Sequence, residues 1–297
     1  MKTPRGLPFN RPRYQIAAAA ALAVGLVAGW SHIKPSGDGA GTKRPTTLEG
    51  AWQAAAAFLF NDANNTFNAA RLEPSQERER ELGKAVTLLN VQPRTVENIA
   101  KARRIFETLS SGEDHDEPAI FSDYYLARIY ERYETPPEPR KARTYYLKLL
   151  EKHAGHPVAE FGASAMVLMA LYDNITPEER GRRFAGLEAL GASLETSSGR
   201  RDYHLNMGNA YIDFEASREK ALNHLLAADA ETISLWQVES ATWISIAELA
   251  RDEGRDDLAE AYYKRFLSKY RRDNRHYSIE RRLGALKNPK NMTADER

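Results

Sequence analysis

The chain contains no cysteine in its 297 residues. This absence excludes disulfide bridges, zinc sites built from thiolates, cysteine nucleophiles and a lipid-modified N-terminal cysteine. A chain without cysteine is compatible with an oxidising compartment but does not require one.

The chain also lacks an excess of charge of either sign. It carries 42 lysine and arginine residues against 41 acidic residues, for a formal net charge of +1. Such a balance creates no overall field that favours nucleic acid or another strongly anionic partner, so we expect no nucleic-acid binding. Charged residues make up 28% and apolar residues 42% of the chain, which is typical of a soluble helical domain and not of disorder.

Charge is absent from residues 14–33, and within this stretch residues 16–30 (IAAAAALAVGLVAGW) are almost wholly apolar. About 20 helical residues span the core of a bilayer, so this run predicts one transmembrane helix. The preceding residues 1–13 are basic, and the first acidic residue of the chain is Asp38. The positive-inside rule then predicts a single-pass protein of the bacterial inner membrane, with a cytoplasmic N-terminus and an exported remainder.

A cleaved signal sequence is the alternative interpretation of residues 14–33, because a basic start followed by an alanine-rich stretch is also typical of one. No A-x-A motif closes the stretch, which favours the uncleaved anchor. Cleavage would instead leave a periplasmic or secreted protein. Residues 34–45 (KPSGDGAGTKRP) have no apolar face and predict a flexible linker.

Residues 240–274 show the clearest pattern in the rest of the chain, that of two amphipathic helices joined by a tight turn. Gly254 is expected to end the first helix, since glycine adopts positive φ without steric cost. Apolar side chains recur at spacings of three and four on both sides of it. In the first helix these are Trp243, Ile246, Ala247 and Ala250, and in the second Leu258, Ala259, Tyr262, Tyr263, Phe266 and Leu267.

This pattern resembles the tetratricopeptide repeat, with six residues in register: Trp243, Ile246, Ala247, Gly254, Ala259 and Tyr263. Two positions depart from it, because Arg271 replaces the closing proline and Phe266 replaces a second-helix alanine. The resemblance implies an all-α fold, a right-handed superhelical α-solenoid of helix hairpins. It implies protein binding in general but no particular partner, since the motif does not fix the surface side chains.

Further helix pairs are expected between residues 75 and 230. The small residues of their second helices, together with that of the pair above, are Ala102, Ala142, Gly181, Ala221 and Ala259, separated by 40, 39, 40 and 38 positions. Repeats of the HEAT or armadillo kind, about 40 residues long, remain an alternative because the tetratricopeptide period is about 34. Residues 276–286 are expected to close the array as a capping helix. The repeat domain is therefore predicted over residues 46–286, followed by a disordered tail over residues 287–297.

The segment before the first pair, LEGAWQAAAAFLFNDANNTFNAAR, is predicted to form one helix capped by Thr46 or Thr47. We expect this helix to lead the array and to bury its four large apolar side chains. These are Trp52, Phe58, Leu59 and Phe67.

Chemistry-bearing residues form no constellation for catalysis. His153 and His156 lie at a helix end without an acid at a ligand spacing, so a turn is favoured over a metal site. Ser217 and Lys220 spell S-x-x-K without the partner motifs of acyl-transfer enzymes, and a helix N-cap is the better interpretation of Ser217. We therefore expect no enzyme, no cofactor, no metal and no small-molecule substrate.

A partner-binding groove is predicted along the first helices of three pairs. Its residues are Tyr125, Arg128 and Arg132 in one pair, Asn206, Asn209 and Asp213 in another, and Ser245, Glu248 and Asp252 in the last. Asn209 fits the carboxylate clamp of the family, whereas Asp213, Glu248 and Asp252 would repel a carboxylate. The mixture of charges favours an extended, mixed-charge segment of another protein, and a merely solvated surface is the alternative.

These observations predict a membrane-anchored scaffold whose exported helical repeats mediate protein–protein interaction in the assembly or maintenance of a cell-envelope complex. The alternative is a cleaved periplasmic protein that binds an envelope polymer or assists outer-membrane assembly.

Overall fold

A computed structural model describes residues 47–70, 73–111 and 116–287. The basic N-terminus (1–13), the predicted transmembrane helix (14–33), the linker (34–45) and the predicted tail from residue 288 onward lie outside these ranges. Within the described ranges the chain forms α-helices and two short 3-10 helices and contains no strand, which confirms the all-α prediction. None of the helices that the structure describes combines the length and hydropathy needed to cross a bilayer.

The chain divides into two compact units, with the boundary between Thr135 and Pro136. In the first unit each helix packs against the next one in the chain, and α3 also contacts α1 and α5. The helices of this unit are α1 (Leu48–Ala56), α2 (Phe60–Ala69), α3 (Glu77–Asn90), α4 (Val96–Ser110) and α5 (Glu117–Arg132), with a 3-10 helix (Pro74–Gln76) before α3.

The leading segment is two helices and not one, so that prediction was wrong. The break lies at Phe58, whose φ of 62° ends α1. The amide of Phe58 donates to Ala55 O at 3.0 Å and that of Leu59 to Ala54 O at 2.9 Å, a pattern that closes the end of a helix. As a result Phe58 and Leu59 are 56% and 53% exposed, against our expectation of burial, whereas Phe67 is fully buried.

Helices α3, α4 and α5 of the first unit follow the predicted pattern more closely. Ala102, the small residue of the repeat spacing, is buried on α4 together with Phe106 and Leu109. Asp116 caps α5 by accepting the amide of Ala119, and its carboxylate also accepts from Arg78 Nε at 2.6 Å. The hydrogen bond from Arg78 lowers the pKa of Asp116 below its ordinary value.

The second unit contains eight of the described helices and one 3-10 helix. They are α6 (Pro139–Lys152), α7 (Pro157–Leu171), α8 (Pro177–Glu188), the 3-10 helix (Ala189–Ser193), α9 (Ser197–Asp213), α10 (Arg218–Ala230), α11 (Trp236–Asp252), α12 (Asp256–Lys269) and α13 (His276–Lys287). Each α-helix packs against the next one in the chain, with one exception. Helix α9 packs against α7 and not against α8. Buried apolar side chains form one contiguous core from Ala163 on α7 to Ile279 on α13, so the predicted capping helix does join the core.

The α11–α12 hairpin forms as the sequence predicted. Gly254 has a φ of +69° and its amide donates to Arg251 O at 2.9 Å, while the amide of Arg255 donates to Ala250 O at 2.7 Å. These two bonds satisfy carbonyls at the end of α11 and turn the chain into α12. The side chains that the repeat pattern places inside are buried: Trp243, Ile246, Ala247, Ala250, Ala259, Tyr263 and Phe266.

In the α9–α10 hairpin, Gly208 allows the two helices to approach closely. A Cβ at Gly208 would lie 2.7 Å from Leu225 Cδ2, so the helices could not approach this closely with a larger residue. Met207 and Tyr211 flank this contact and are buried. Ser217 caps α10 by accepting the amide of Lys220 at 3.3 Å, in agreement with its interpretation as a helix cap.

Helix α8 departs from the predicted repeat. Thr176 caps it by accepting the amide of Glu179 at 3.2 Å, and the carboxylate of Glu179 pairs with Arg182 and Arg183. Gly181 is exposed, and a Cβ at this position would have no neighbouring atom within 4 Å, so it differs from the four alanines that share its spacing, which are buried. The reason is that α8 buries Phe184 alone and continues into a 3-10 helix, so Gly181 meets no neighbouring helix.

Candidate functional site

The predicted groove residues of α5 are engaged in contacts within the first unit. The ring of Tyr125 stacks on Phe106 of α4, with centroids 5.1 Å apart and planes at 11°. Burial raises the pKa of Tyr125 above its ordinary value. Arg128 and Arg132 both reach Glu131 of the same helix, at 3.6 Å and 2.8 Å.

The three groove residues of α9 lie along one helix face, at spacings of three and four. Asn206 donates to Ser164 O of α7 at 3.4 Å, and Asp213 accepts a hydrogen bond from the hydroxyl of Tyr172. Asn209, between them, is exposed and forms no side-chain hydrogen bond to the described part of the chain. This face therefore offers one amide side chain that a partner can contact without displacing an internal bond.

The groove residues of α11 also differ from one another in how far other residues of the unit engage them. Glu248 accepts from Tyr263 Oη of α12 and from Arg282 Nη1 of α13, each at 2.6 Å, so this carboxylate joins three helices. Asp252 is exposed and pairs with Arg251 at 3.0 Å. Ser245 is half-buried, with no hydrogen bond from its hydroxyl to the described residues. The expectation that these nine residues bind a partner stays a prediction, and its α9 and α11 members all lie in the second unit.

A buried polar cluster that the sequence pattern did not reveal joins α9 and α10 to the end of α8. His204 Nδ1 and His224 Nδ1 lie 2.8 Å apart, and His224 Nε2 lies 3.2 Å from Glu188 Oε2. Glu188 also accepts from the hydroxyl of Tyr211 and from Lys220 Nζ. Neutral imidazoles are sufficient for the two histidine contacts, because His224 donates to the carboxylate of Glu188 and accepts from His204.

The surroundings of this cluster shift its pKa values. Burial, followed by the neighbouring His224, lowers the pKa of His204 from 6.5 to about 4. Burial also lowers the pKa of His224, although Glu188 opposes this shift. Burial alone would raise the pKa of Glu188, but hydrogen bonds from Tyr211 and Lys220 outweigh it and the net shift is downward. These contacts form one polar network that joins α9 and α10 to the end of α8.

A second polar cluster joins α10, α11 and α12. Asp229 accepts from Trp243 Nε1 at 2.6 Å, from Tyr262 Oη at 2.8 Å and from Arg265 Nη1 at 2.5 Å. The guanidinium of Arg265 also lies 4.0 Å from the centre of the Trp243 ring. One carboxylate thus holds the most conspicuous tryptophan of the repeat pattern in place.

An open cleft of about 410 Å³ lies between the start of α11 and the turn that follows α12. We call it the aromatic–arginine cleft, and it is lined by Trp236, Lys269, Tyr270, Arg271, Arg272 and Asp273. Trp236 is 55% exposed and its neighbour Leu235 is 50% exposed, so apolar side chains face solvent beside the arginines of the cleft. In the repeat pattern Arg271 stands only as a departure from a proline. The signal that could have revealed the cleft is the adjacent Arg271–Arg272 pair directly after a helix.

The histidine pair named from the sequence lies at a turn, as expected. His156 Nδ1 accepts the amide of Val158 at 3.2 Å and caps α7. In the described ranges, no group of three His, Cys, Asp or Glu side chains is arranged to hold a metal ion.

A comparison with protein-family models, with curated proteins and with solved structures finds nothing that matches this chain. Its function is therefore argued from the fold and surfaces above.

Proposed function

We propose that this chain is a non-enzymatic scaffold of the tetratricopeptide kind, whose helical repeats bind other proteins of the bacterial cell envelope. The observation that carries the proposal is the contiguous apolar core of the second unit, shared by helices from α7 to α13. Helices that bury one side against their neighbours in this way leave their other sides polar and in series, which creates an extended surface for a protein segment.

Buried small residues support the assignment to a helical repeat. Ala102, Ala142, Ala221 and Ala259 recur near every 40 positions, except at Gly181, and all four have no exposed surface. The close approach at Gly208 and the turn at Gly254 add two further features of the pattern. A superhelical solenoid of such hairpins is part of the proposal.

The proposed membrane anchor is residues 14–33, on the basis of sequence alone. This stretch has no charged residue and follows four cations, Lys2, Arg5, Arg11 and Arg13. Its length and flanking charges favour one span with the repeats exported to the periplasm.

Binding, and not catalysis, is supported by what the polar clusters do. The carboxylates of Glu188 and Asp229 are each saturated by donors from their own unit, which leaves neither free to act on a substrate. By contrast, Asn209 and Asp213 of α9 and Asp252 of α11 are exposed, as a surface for a mixed-charge segment requires.

The proposal is tested by chemical crosslinking of the full chain in a bacterial host, followed by affinity purification and identification of the linked proteins. We expect a defined set of envelope proteins with the natural chain, and loss of members of this set with Asn209→Arg, because the long side chain fills an exposed position of the groove. Asn223→Arg on α10 is the matched control, since Asn223 is also exposed. Identical protein sets for all three chains would reject the groove, and the absence of any linked protein would reject the scaffold.

Membrane anchorage is tested on the same material. We expect the full chain in the membrane fraction after alkaline extraction, with residue 1 or 2 at the N-terminus. A product that begins near residue 30 would instead support the cleaved periplasmic alternative.

A further inference from the structure

We infer that the aromatic–arginine cleft binds an acidic segment of a partner protein, one in which a carboxylate side chain lies next to an apolar or aromatic side chain. This inference rests on the proposed function, and it names the chemistry of a partner at a surface outside the predicted groove.

Positive charge is concentrated near the end of the second unit. Residues 264–286 contain eight lysine or arginine residues and two acidic residues, in a chain whose net charge is only +1. Most of these cations are neutralised by partners within the second unit: Lys264 by Glu260, Arg265 by Asp229, Lys269 by Glu239, Arg275 by Asp273 and Arg282 by Glu248.

Arg271 and Arg272 are different from these paired cations. Both are exposed, and neither side chain forms a hydrogen bond or ion pair with the described residues. Asp273, the acid next to them, accepts from the amide, Nε and Nη2 of Arg275, and these bonds lower its pKa. Two guanidinium groups therefore remain available at the cleft, and each can hold a carboxylate through two parallel hydrogen bonds.

Two aromatic side chains form a wall of the cleft. The ring of Trp236 lies 6.4 Å from that of Tyr270, and the indole N–H has no acceptor among the described residues. Other tryptophans of the described chain have such an acceptor, Glu79 for Trp52 and Asp229 for Trp243. An exposed indole next to free cations is a common anchor in protein–protein recognition, because its burial removes a large apolar area from water.

The size and charge of the cleft favour a peptide over other anions. The cleft is open and about 410 Å³ in volume, which suits one or two inserted side chains. Nucleic acid is bound by many phosphate contacts, whereas only two cations of the cleft lack a partner among the residues that the structure describes. A peptide with alternating acidic and apolar residues supplies both the carboxylates and the inserted side chain.

The test uses the detergent-solubilised full chain and a fluorescent peptide of about twelve residues in which Glu alternates with Phe and Leu. We expect saturable binding by fluorescence anisotropy that weakens as salt rises, and binding at least about ten-fold weaker to a matched peptide with Gln in place of every Glu. Equal affinity for the two peptides would overturn the inference, as would the absence of binding.

Variants assign the binding to the cleft. Arg271→Glu plus Arg272→Glu and, separately, Trp236→Ala are expected to reduce affinity by about ten-fold or more. Arg140→Glu plus Arg143→Glu is the matched control, because these arginines of α6 are also exposed and unpaired among the described residues, and we expect less than about a two-fold change. An equal loss with both double variants would show a general charge effect and reject the cleft. If the Glu pair alters the circular dichroism spectrum, Arg271→Gln plus Arg272→Gln repeats the test with a smaller change of charge.

Two further probes separate the alternatives. Vesicles of phosphatidylglycerol or duplex DNA that compete with the peptide and lose affinity with the same variants would replace the inference by anionic lipid or nucleic-acid binding. A crosslinked protein set that loses no member when Arg271 and Arg272 are replaced would reject the cleft while leaving the proposed scaffold intact. A chain that binds the peptide but captures no protein would reject the scaffold.

Discussion

Glu160 illustrates how a single buried side chain organises its neighbourhood. This carboxylate of α7 is fully buried and accepts hydrogen bonds from the amide of Glu195, at 2.6 Å, and from the amide and hydroxyl of Thr196. Thr196 in turn caps α9 by accepting the amide of Gly199 at 2.9 Å. A buried carboxylate is stable here because its oxygens are saturated by donors at the N-terminus of a helix, where negative charge is favoured.

Glu160→Gln is therefore expected to reduce the free energy of unfolding by about 1–3 kcal/mol. The NH₂ group of glutamine would point its own donors at the amide and hydroxyl donors that the carboxylate now accepts from. The measurement is urea unfolding followed by circular dichroism at about pH 7. Glu253→Gln is the control, since Glu253 is exposed and should change stability by less than about 0.5 kcal/mol. Equal effects would show that the carboxylate of Glu160 has no special role.

Two glycines of the second unit provide a second test at this scale. Gly208→Ala is expected to cost about 1–3 kcal/mol, because its Cβ would lie 2.7 Å and 2.9 Å from two atoms of the fully buried Leu225. Gly181→Ala is expected to be neutral or to stabilise by up to about 1 kcal/mol, since no atom would lie within 4 Å of its Cβ and alanine favours a helix. Thermal unfolding of the two variants measures the difference, and destabilisation by both to the same extent would contradict the packing described.

At the scale of elements, the histidine cluster couples the end of α8 to the α9–α10 hairpin and makes their stability depend on pH. The lowered pKa values mean that His204 and His224 are neutral in the folded chain at pH values where the unfolded chain already binds protons. Stability therefore falls as pH decreases from about 6.5 to about 4, since the unfolded state takes up more protons in this window. At His224, Glu188 opposes the lowering of the pKa. At His204, Arg200 reinforces the lowering of the pKa and Glu231 opposes it.

We expect the natural chain to lose on the order of 1–3 kcal/mol of stability between pH 7 and pH 4 through these two groups. His204→Asn should flatten this dependence, because its amide can still donate to His224 without taking up a proton. His276→Gln, which alters a histidine away from the cluster, should keep the natural slope. Urea unfolding at a series of pH values gives the comparison, and parallel slopes for all three chains would contradict the prediction.

The hydrogen bonds to Asp229 are expected to hold α10, α11 and α12 together. Asp229→Ala is expected to cost about 2–4 kcal/mol, because three donors from α11 and α12 lose their acceptor at once. The emission of Trp243 should also shift to longer wavelength in the folded state. Asp252→Ala, at an exposed carboxylate paired only with its neighbour Arg251, should change stability by less than about 0.5 kcal/mol. Similar losses for the two variants would show that Asp229 does not join the helices.

Helix positions were largely predictable from the sequence, because apolar spacing, caps and turn glycines are local signals. Gly254 ends one helix and Ser217 caps another, as their residue types predicted. The break at Phe58 was not predictable, since a phenylalanine at positive φ follows a run of alanines that gives no stop signal. The repeat spacing did not reveal that Gly181 is exposed, because a small residue at this spacing packs inside only where a second helix reaches it.

The surfaces were harder to predict than the helices. The sequence identified polar residues at groove positions, but not that Glu248 is held by Tyr263 and Arg282 while Asn209 is exposed. Such differences depend on residues 15 or more positions away, so no local pattern reveals them. The pairing of Trp236 with Arg271 and Arg272 at one cleft has the same origin.

At the scale of the whole molecule, the described chain consists of two helical units whose cores are built mostly from neighbouring helices. In the second unit this arrangement places the polar faces of α9 and α11 and the aromatic–arginine cleft on one contiguous framework. The proposed scaffold thus has two surfaces of different chemistry, one polar and mixed in charge and the other aromatic and cationic. Partners with different side chains could be held by each.

The most direct test of the central claim, that the helical array binds proteins through its exposed polar faces, is site-specific photocrosslinking in living cells. A photoreactive amino acid replaces Asn209, Ser245 or Trp236 in the full chain, and Asn223 serves as the control position. The account predicts discrete protein adducts at the first three positions, a different one at Trp236 from those at the groove positions, and none at Asn223. The absence of protein adducts at all four positions, or the same adducts at every position, would contradict it.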